Sequence, residues 1–235
     1  MNSVAIMQPT YIPWTGYFHL ILKSDKFVLL DDVQFNRRSW QSRNKILLNN
    51  KQCNLSVPVV KTRRDEILSN IVIDNNQDWR SRHLKTLEYA YSKCPYGNEI
   101  LNIVDLVLKR NDNLLAQLNE SFIREISKCM GINTPIFKAS NFKCGGKRSE
   151  HLVNLCNRTK ADTYLAPAGS KKYLVEDKFE QLSGIKLIVD DFQPKEYCQG
   201  SQEKFISHLS IIDILSYHGP FFTLEYIKRC GKKLY

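Results

Sequence analysis

Residues 4–44, VAIMQPTYIPWTGYFHLILKSDKFVLLDDVQFNRRSWQSRN, decide the fold of this chain. They open with the apolar run Val4–Met7, which ends at Gln8-Pro9. Proline lacks a backbone donor and interrupts strand pairing, so we predict a buried strand that ends there. The proline and the glycine within Ile12–Gly16 then indicate a loop.

A helix and a second strand are predicted after this loop. Tyr17–Leu22 is amphipathic, which favours a helix, and Lys26–Leu30 is an apolar run rich in strand-forming residues. The second run ends at Asp31-Asp32. The order of strand, loop, helix and strand predicts an α/β fold that has a parallel sheet with flanking helices.

The carboxyl ends of the two predicted strands are expected to form a ligand site. Ligands of open α/β folds bind there, because free backbone donors and the positive end of the helix dipole point into the crevice. The candidate substrate-binding residues are Gln8, Pro9, Tyr11, Trp14, Gly16, Tyr17, Gln34, Arg37, Trp40, Arg43 and Asn44. The candidate catalytic residues are His19, Asp31, Asp32 and Arg38. Together they offer rings for stacking, carboxylates for protons or cations, and guanidinium groups for phosphate or carboxylate.

Long stretches of the sequence resemble a known family. The resemblance is carried by MQPTYIPWTGYFHLI and FVLLDDVQFNRRSWQSRN, and it continues in DWRSRHLKTLEYAYSKCPY, KRSEHLVNLC, ADTYLAPAGSKKYL and SHLSIIDILSYHGP. These motifs are similar to the signature of the WbqC-like proteins, a family found in bacterial O-antigen and other polysaccharide gene clusters. The resemblance implies a cytoplasmic role in making or modifying nucleotide-linked sugars, on an amino sugar.

The opening unit is also similar to the layout of nucleotidylyltransferases. Those enzymes carry a His-x-Gly-His turn after the first strand, whereas this chain has Trp14-Thr15-Gly16-Tyr17, and His19 falls two residues late. The shared layout predicts a nucleotidylyltransferase-like (HUP/Rossmann-like) core. Because both histidines of the turn are absent, the reaction is left open.

The remaining segments predict one domain over residues 1–235, with a helical insertion at about 76–131. Two apolar runs on either side of Asn49-Asn50 predict a β-hairpin, and Ile71–Ile73 predicts a further short strand. Asp213 lies among aliphatic residues. Since a buried charge needs a partner, we expect an arginine or a histidine to contact Asp213 if it is buried.

A second strand-to-helix turn is predicted within residues 163–173. Its small side chains let a ligand approach backbone amides, and Ser170 and Lys171 are able to bind an anion. An ordinary strand-to-helix turn and a ligand pocket explain the pattern equally well. The family resemblance favours the ligand pocket. The candidate substrate-binding residues here are Gly169, Ser170, Lys171 and Tyr173.

Two other segments carry residues of interest. His83 lies on a helix predicted over residues 76–94. Its side chain either packs on the sheet or lines the ligand pocket. His83 is therefore a candidate substrate-binding residue. Gly145-Gly146-Lys147 does not fit a Walker loop, because Asn141 and Arg148 stand where a glycine and a Ser or Thr are required.

Composition limits the function classes. The chain lacks a long apolar run and a secretory signal, which predicts a cytoplasmic protein without a membrane span. Seven cysteines without a Cys-x-x-Cys pair indicate reduced thiols. The net charge of +10 attracts polyanions, so nucleic acid, a membrane surface and phosphorylated small molecules all fit, but no recognised nucleic-acid motif accompanies it. The family resemblance implies a nucleotide-linked sugar as the partner instead of nucleic acid. A homodimer stays open.

Three functions remain open at this point. The first is acyl or aminoacyl transfer to the amine of a nucleotide-linked amino sugar, with His19, His83, Asp31 or Asp32 as the base. The second is a nucleotidyl-transfer or adenylate-forming ligase reaction, and the third is non-catalytic binding of a nucleotide sugar or nucleic acid. The candidate cofactors are ATP with magnesium or an acyl thioester donor. No metal ligands are assigned, although Asp31 and Asp32 are able to hold an ion.

Overall fold

The centre of the protein is a five-stranded parallel sheet, which a separate two-stranded antiparallel hairpin accompanies. The structure is a computed structural model that describes residues 2–201 and 204–231. In chain order, the strands are β1 (Ser3–Met7), β2 (Lys26–Leu29), β3 (Arg43–Leu48), β4 (Lys51–Ser56), β5 (Ile136–Lys138), β6 (Thr163–Ala166) and β7 (Lys186–Val189). The predicted parallel sheet and hairpin are confirmed.

The strand order of the sheet is β5-β2-β1-β6-β7. The chain therefore moves outward from β1 through β2 to β5 and then crosses to the other side of β1 for β6 and β7. All four pairings are parallel. In open α/β sheets, the crevice for a ligand lies at the carboxyl ends of the strands where this reversal occurs, which here is between β1 and β6.

Helices cover both faces of this sheet. They are α1 (Thr15–Lys23), α2 (Trp79–Tyr91), α3 (Gly97–Leu108), α4 (Leu115–Cys129), α5 (Ala139–Phe142), α6 (Ser149–Arg158), α7 (Lys171–Glu176), α8 (Phe179–Ser183) and α9 (Ile211–Cys230). Helix α9 is kinked at Gly219, which has a φ of 77° and is followed by Pro220. Over the described ranges, no helix combines the length and the apolar character needed to cross a bilayer.

Alternation along β1 divides the core between the two faces. Val4 and Ile6 pack with residues of α6, α7 and α8, whereas Ala5 packs with residues of α1, α4 and α9. Because helices cover both faces of the sheet, a ligand is expected to reach the sheet at its edge. The predicted β-loop-α-β unit thus stands at the middle of the core.

One prediction outside the sheet is wrong. Ile71–Ile73 makes isolated bridges instead of a strand, since Val72 pairs with Leu114 while Ile73 pairs with Val59 on a different segment. Asp213 is fully buried, and its hydrogen-bond partners among the described residues are neutral groups.

The carboxylate of Asp213 accepts hydrogen bonds from the hydroxyls of Tyr91 (2.9 Å) and Tyr197 (2.8 Å) and from the side-chain amide of Gln199 (3.2 Å). Burial raises the pKa of Asp213; the three donors oppose that rise, and so does the electrostatic effect of His218. Neutral groups therefore make the hydrogen bonds to the carboxylate, while the histidine acts on it electrostatically.

Candidate functional site

A cleft runs along the carboxyl ends of β1, β2 and β6. It consists of three adjoining cavities that share the lining residues Met7, Thr10 and Trp40 at one junction and Gln8, Leu30, Leu152 and Tyr173 at the other. We call the part lined by Trp14, Tyr17, Trp40, Asn44 and His208 the aromatic end. The part lined by Asp32, Gln34, Lys147, Arg148 and His151 is the charged end, with a volume of about 930 Å³.

The two turns that the sequence predicts to converge do meet in this cleft. The backbone amide of Tyr11 donates to the carbonyl of Trp40 (3.0 Å), and the side chain of Asn44 donates to the carbonyl of Tyr11 (3.0 Å). The amide nitrogen of Gln41 donates to Oε1 of Gln8 (2.8 Å). Because the side-chain oxygen of Gln8 accepts this bond, the side-chain nitrogen of Gln8 points away from Gln41. Gln8 lines both the middle of the cleft and the charged end.

Stacked rings build the aromatic end. The ring of Trp14 lies 4.7 Å from that of His208, with 28° between their planes, and the edge of Phe192 packs 5.5 Å from Trp14. Gly16 lies beneath the indole, where an added Cβ would be 2.4 Å from the Trp14 ring. The hydroxyl of Tyr17 donates to the carbonyl of Gln8 (3.2 Å). Such a surface suits a planar or apolar group of a ligand.

A histidine and an aspartate form a pair at the charged end. Nε2 of His151 lies 3.1 Å from Oδ1 of Asp32, and Nδ1 of His151 lies 3.2 Å from the carbonyl oxygen of Gly145. The hydrogen bond to Asp32 raises the pKa of His151; partial burial opposes that rise, and the Gly145 carbonyl adds to it. Because both ring nitrogens face acceptors, the protonated ring of His151 is stabilised relative to that of a free histidine. We call His151 and Asp32 the dyad.

The loop before α6 shapes the rest of the charged end. Gly146 has a φ of 100°, and an added Cβ would lie 2.9 Å from the backbone nitrogen of His151. The amino end of α6 has no side-chain cap. Lys147 has no ion-pair partner in the described part of the chain, whereas Arg148 pairs with Asp177 (3.3 Å). Uncapped amides beside a lysine favour an anion such as a phosphate.

The turn after β6 forms the third wall, as the sequence predicts for three of its four residues. Gly169, Ser170 and Tyr173 line the cleft. The hydroxyl of Ser170 donates to the carbonyl of Pro167 (2.7 Å). Lys171 is exposed and lies outside this lining.

Of the predicted catalytic residues, His19 and Asp31 are buried away from the cleft. His19 is buried, with Nε2 3.2 Å from Oδ1 of Asp190 and Nδ1 3.1 Å from the carbonyl of Ile227. Asp31 is also buried and accepts from the backbone amide (2.9 Å) and the hydroxyl (2.8 Å) of Ser140. Both side chains therefore make structural bonds. Among the described residues, no three His, Cys, Asp or Glu side chains converge to hold a metal.

Two candidate binding residues pack together in the core. Nδ1 of His83 lies 2.9 Å from the hydroxyl of Tyr11, and neither side chain lines the cleft. Burial lowers the pKa of His83 to about 4, so it is neutral near pH 7. Pro9 contributes only its carbonyl, which accepts from Asn119 (3.1 Å) in the core. Gln34 lines the charged end and donates to the carbonyl of Arg64 (2.8 Å).

The predicted arginines lie on the opposite side of the second turn. Arg37, Arg38 and Arg43 line, with Lys61, a separate depression that we call the basic groove. The catalytic role expected for Arg38 therefore lacks support from its position.

The sequence does not single out His151 as a site residue, although the motif KRSEHLVNLC contains it. Its signal was a histidine in the first turn of a helix that follows a Gly-Gly loop. His208 was missed as well, because it lies in an irregular segment, with a φ of 59°.

Two comparisons with known proteins give a match. The model of the WbqC-like protein family matches residues 8–222. An uncharacterized protein of Mycobacterium tuberculosis is 31% identical over 235 residues, which cover 98% of this chain and 99% of that protein. No solved structure is a significant match.

Proposed function

The chain belongs to the WbqC-like protein family, and from this membership and the cleft we propose that it is a cytoplasmic transferase of O-antigen or other surface polysaccharide biosynthesis. It transfers an acyl or aminoacyl group to the amine of a nucleotide-linked amino sugar. The single observation that carries the proposal is the dyad of His151 and Asp32 at the charged end of the cleft.

The dyad supplies the proton acceptor that such a reaction needs. A sugar ammonium is attracted to the carboxylate of Asp32, whose side chain is 19% exposed. His151 accepts a proton when its ring is neutral, and Asp32 stabilises the imidazolium that results. The rate is therefore expected to rise with pH through the raised pKa of His151.

The reaction replaces the bond between the acyl carbon and its leaving group by a bond to the sugar nitrogen. The ammonium gives a proton to the dyad, and the neutral amine attacks the carbonyl carbon of the donor, so that a C–N bond forms. The bond from the carbonyl carbon to the leaving group then breaks. Of the two protons that the nitrogen loses, one departs with the leaving group and the other reaches solvent through the dyad. The amide nitrogen of Gln8 is the proposed donor to the oxyanion.

The two ends of the cleft divide the substrate between them. The Gly145–Arg148 loop with Lys147 receives the phosphates of the nucleotide-linked sugar, because it combines helix amides with a lysine that has no ion-pair partner among the described residues. The aromatic end, at Trp14 and Trp40, stacks the base or receives the acyl group of a thioester donor.

A second candidate function is nucleotidyl transfer or adenylate-forming ligation with ATP and magnesium. The observation that favours it is the order of the strands across the sheet, β5-β2-β1-β6-β7. Counted in chain order within this sheet, the strands follow the order of HUP and Rossmann-like cores. In this alternative, Lys147 stabilises the charge on the transferring phosphate. Release of diphosphate from ATP distinguishes it from transfer out of a preformed thioester.

The test measures amide formation by the full chain from uridine diphosphate-linked amino sugars and acetyl-coenzyme A, with parallel reactions that contain ATP, magnesium and acetate. We expect Asp32→Asn and His151→Gln each to lower kcat by roughly 10²- to 10⁴-fold, which is the usual contribution of a general base. The matched control is Asp65→Asn, because Asp65 is exposed and lies outside the cleft.

Wild-type rates in the Asp32→Asn and His151→Gln variants would remove the dyad from the mechanism. A thermal shift with the nucleotide sugar and no turnover with either donor would favour a non-catalytic binding protein, since ligands that bind the native state raise its melting temperature.

A further inference from the structure

The basic groove lies behind the wall of the cleft. Residues 37–43 form a turn whose two sides face different spaces: Trp40 and Gln41 line the cleft, while Arg38 and Arg43 line the groove. Within the described residues, the groove and the cleft have no lining residue in common. The groove is therefore a second space, reached from a different side of the same turn.

The groove carries positive charge that the protein itself does not neutralise. Arg37, Arg38, Arg43 and Lys61 line it, and none of the four forms an ion pair with a described residue. The guanidinium of Arg37 donates to the carbonyl of Thr62, which is a neutral acceptor. Four like charges around one depression repel one another and attract an anion.

The acids that follow β2 are directed elsewhere. Asp31 is bonded to Ser140, and Asp32 is bonded to His151 at the charged end of the cleft. The sequence predicts these carboxylates beside the arginines, where they would repel phosphate. Their actual positions leave the groove free of that repulsion.

The floor of the groove is apolar and preformed. Phe35 and Val57 are each only 4% exposed, and Val60 contributes an exposed apolar wall. The backbone amide of Val57 donates to the carbonyl of Ser42 (2.8 Å), which ties the turn to the strand β4 side of the hairpin. Arg43 itself lies in β3, opposite Ser56. A depression of about 440 Å³ with this lining falls in the size range of small-molecule sites.

We propose that the basic groove is a second binding site, which takes a phosphorylated small organic molecule. The arginine side chains contact the phosphate groups, for which planar guanidinium forks are well matched. Phe35 and Val57 contact the organic part. A long polyanion or a lipid surface requires an extended basic face, whereas here the charge surrounds one bounded depression.

The test combines titration calorimetry with hydrogen exchange on the full chain, and the probes are ADP and inorganic diphosphate. Binding at the groove protects peptides that cover residues 35–43 and 56–61, whereas binding at the charged end protects residues 144–152. We expect Arg38→Gln and Arg43→Gln each to weaken ADP binding at the groove by roughly tenfold, the effect of one charged hydrogen bond. Diphosphate should bind more weakly than ADP, because it makes no use of the apolar floor.

The matched control is Arg63→Gln, which removes one exposed charge from the neighbouring loop without altering the lining. It should change the affinity by less than about twofold, since an exposed charge acts only through screened long-range attraction. Variants of the dyad, Asp32→Asn and His151→Gln, should retain protection at the groove, so the outcome is separable from that of the proposed reaction.

Three results would overturn the proposal. One is an equal loss of affinity in Arg63→Gln, which would indicate general attraction to a basic protein. Another is protection only over residues 144–152. The third is binding to acidic phospholipid vesicles or to a single-stranded oligonucleotide without saturable binding of ADP.

Discussion

Gly146 offers a sharp test of the charged end, through replacement by alanine. Its φ of 100° lies in a region that side chains rarely adopt, and the added Cβ would lie 2.9 Å from the backbone nitrogen of His151. The loop must move to relieve this contact, and His151 moves with it. Gly145→Ala is the matched control, because a Cβ at Gly145 meets no atom within 4 Å and its φ is not positive.

The expected magnitude follows from the backbone. A positive φ at a non-glycine residue of this kind costs about 1–3 kcal/mol. For a chain of 235 residues, about 1 kcal/mol corresponds to roughly 2–4 °C in melting temperature. We therefore expect Gly146→Ala to melt about 4–8 °C lower than the wild type for a central cost of about 2 kcal/mol. Gly145→Ala should melt at the wild-type temperature or slightly higher, because alanine restricts the unfolded chain.

The assay is calorimetric melting, followed by a titration with a uridine diphosphate-linked amino sugar. Gly146→Ala should also bind this probe more weakly than Gly145→Ala, because the loop that receives the phosphates has shifted. Identical melting temperatures and identical affinities in the two variants would refute the description of the loop.

Three further predictions concern the buried and titrating groups. The folded-state pKa of His83, about 4, is below its ordinary value of 6.5, so wild-type stability should fall by up to about 3 kcal/mol as the pH falls from 6.5 towards 4, and His83→Gln should lack this decline in pH-dependent unfolding. Tyr197→Phe should lower the free energy of unfolding by about 1–3 kcal/mol in urea titrations, because a buried carboxylate loses a donor, whereas exposed Tyr89→Phe should not. Asp32→Asn should lower the pKa of His151 in an NMR titration, because it removes the main cause of the raised value.

Each of these has a contradicting result. Parallel pH curves for the wild type and His83→Gln would show that the histidine is not buried in its neutral form. Equal losses in the two tyrosine variants would place the effect outside the buried network. An unchanged pKa of His151 in Asp32→Asn would mean that the dyad is not formed in solution.

The opening unit could be predicted because its signals are local. The apolar runs Val4–Met7 and Lys26–Leu30 end at residues that stop a strand, and a parallel arrangement then brings both ends to one edge. The contact of the two turns, made by Tyr11 with Trp40, follows from that arrangement. For the same reason, Trp14 and Tyr17 of the first turn line the cleft as expected, whereas the ring of Tyr11 is buried in the core.

The positions of the charged side chains could not be predicted in the same way. Asp31 and Asp32 are neighbours in sequence, but each is held by a partner more than a hundred residues away: Ser140 is separated from Asp31 by 109 residues, and His151 from Asp32 by 119. Adjacent side chains of an extended segment point to opposite sides. Which acid faces the cleft therefore depends on segments that no local pattern connects.

The same physical reason separates Arg38 from the cleft. The turn at residues 37–43 presents alternate faces to two spaces, and the sequence does not show that the hairpin closes the second of them. The helical spacing of His83 is compatible with packing in the core and with lining the pocket. The buried contact of His83 with Tyr11 shows that its side chain packs in the core.

The most direct measurement for the central claim is a crystal structure of the full chain with a uridine diphosphate-linked amino sugar. The proposed function predicts the sugar amine within hydrogen-bonding distance of Asp32 or His151, with the phosphates against the Gly145–Arg148 loop. A sugar bound with its amine away from the dyad, or bound outside the cleft altogether, would contradict it.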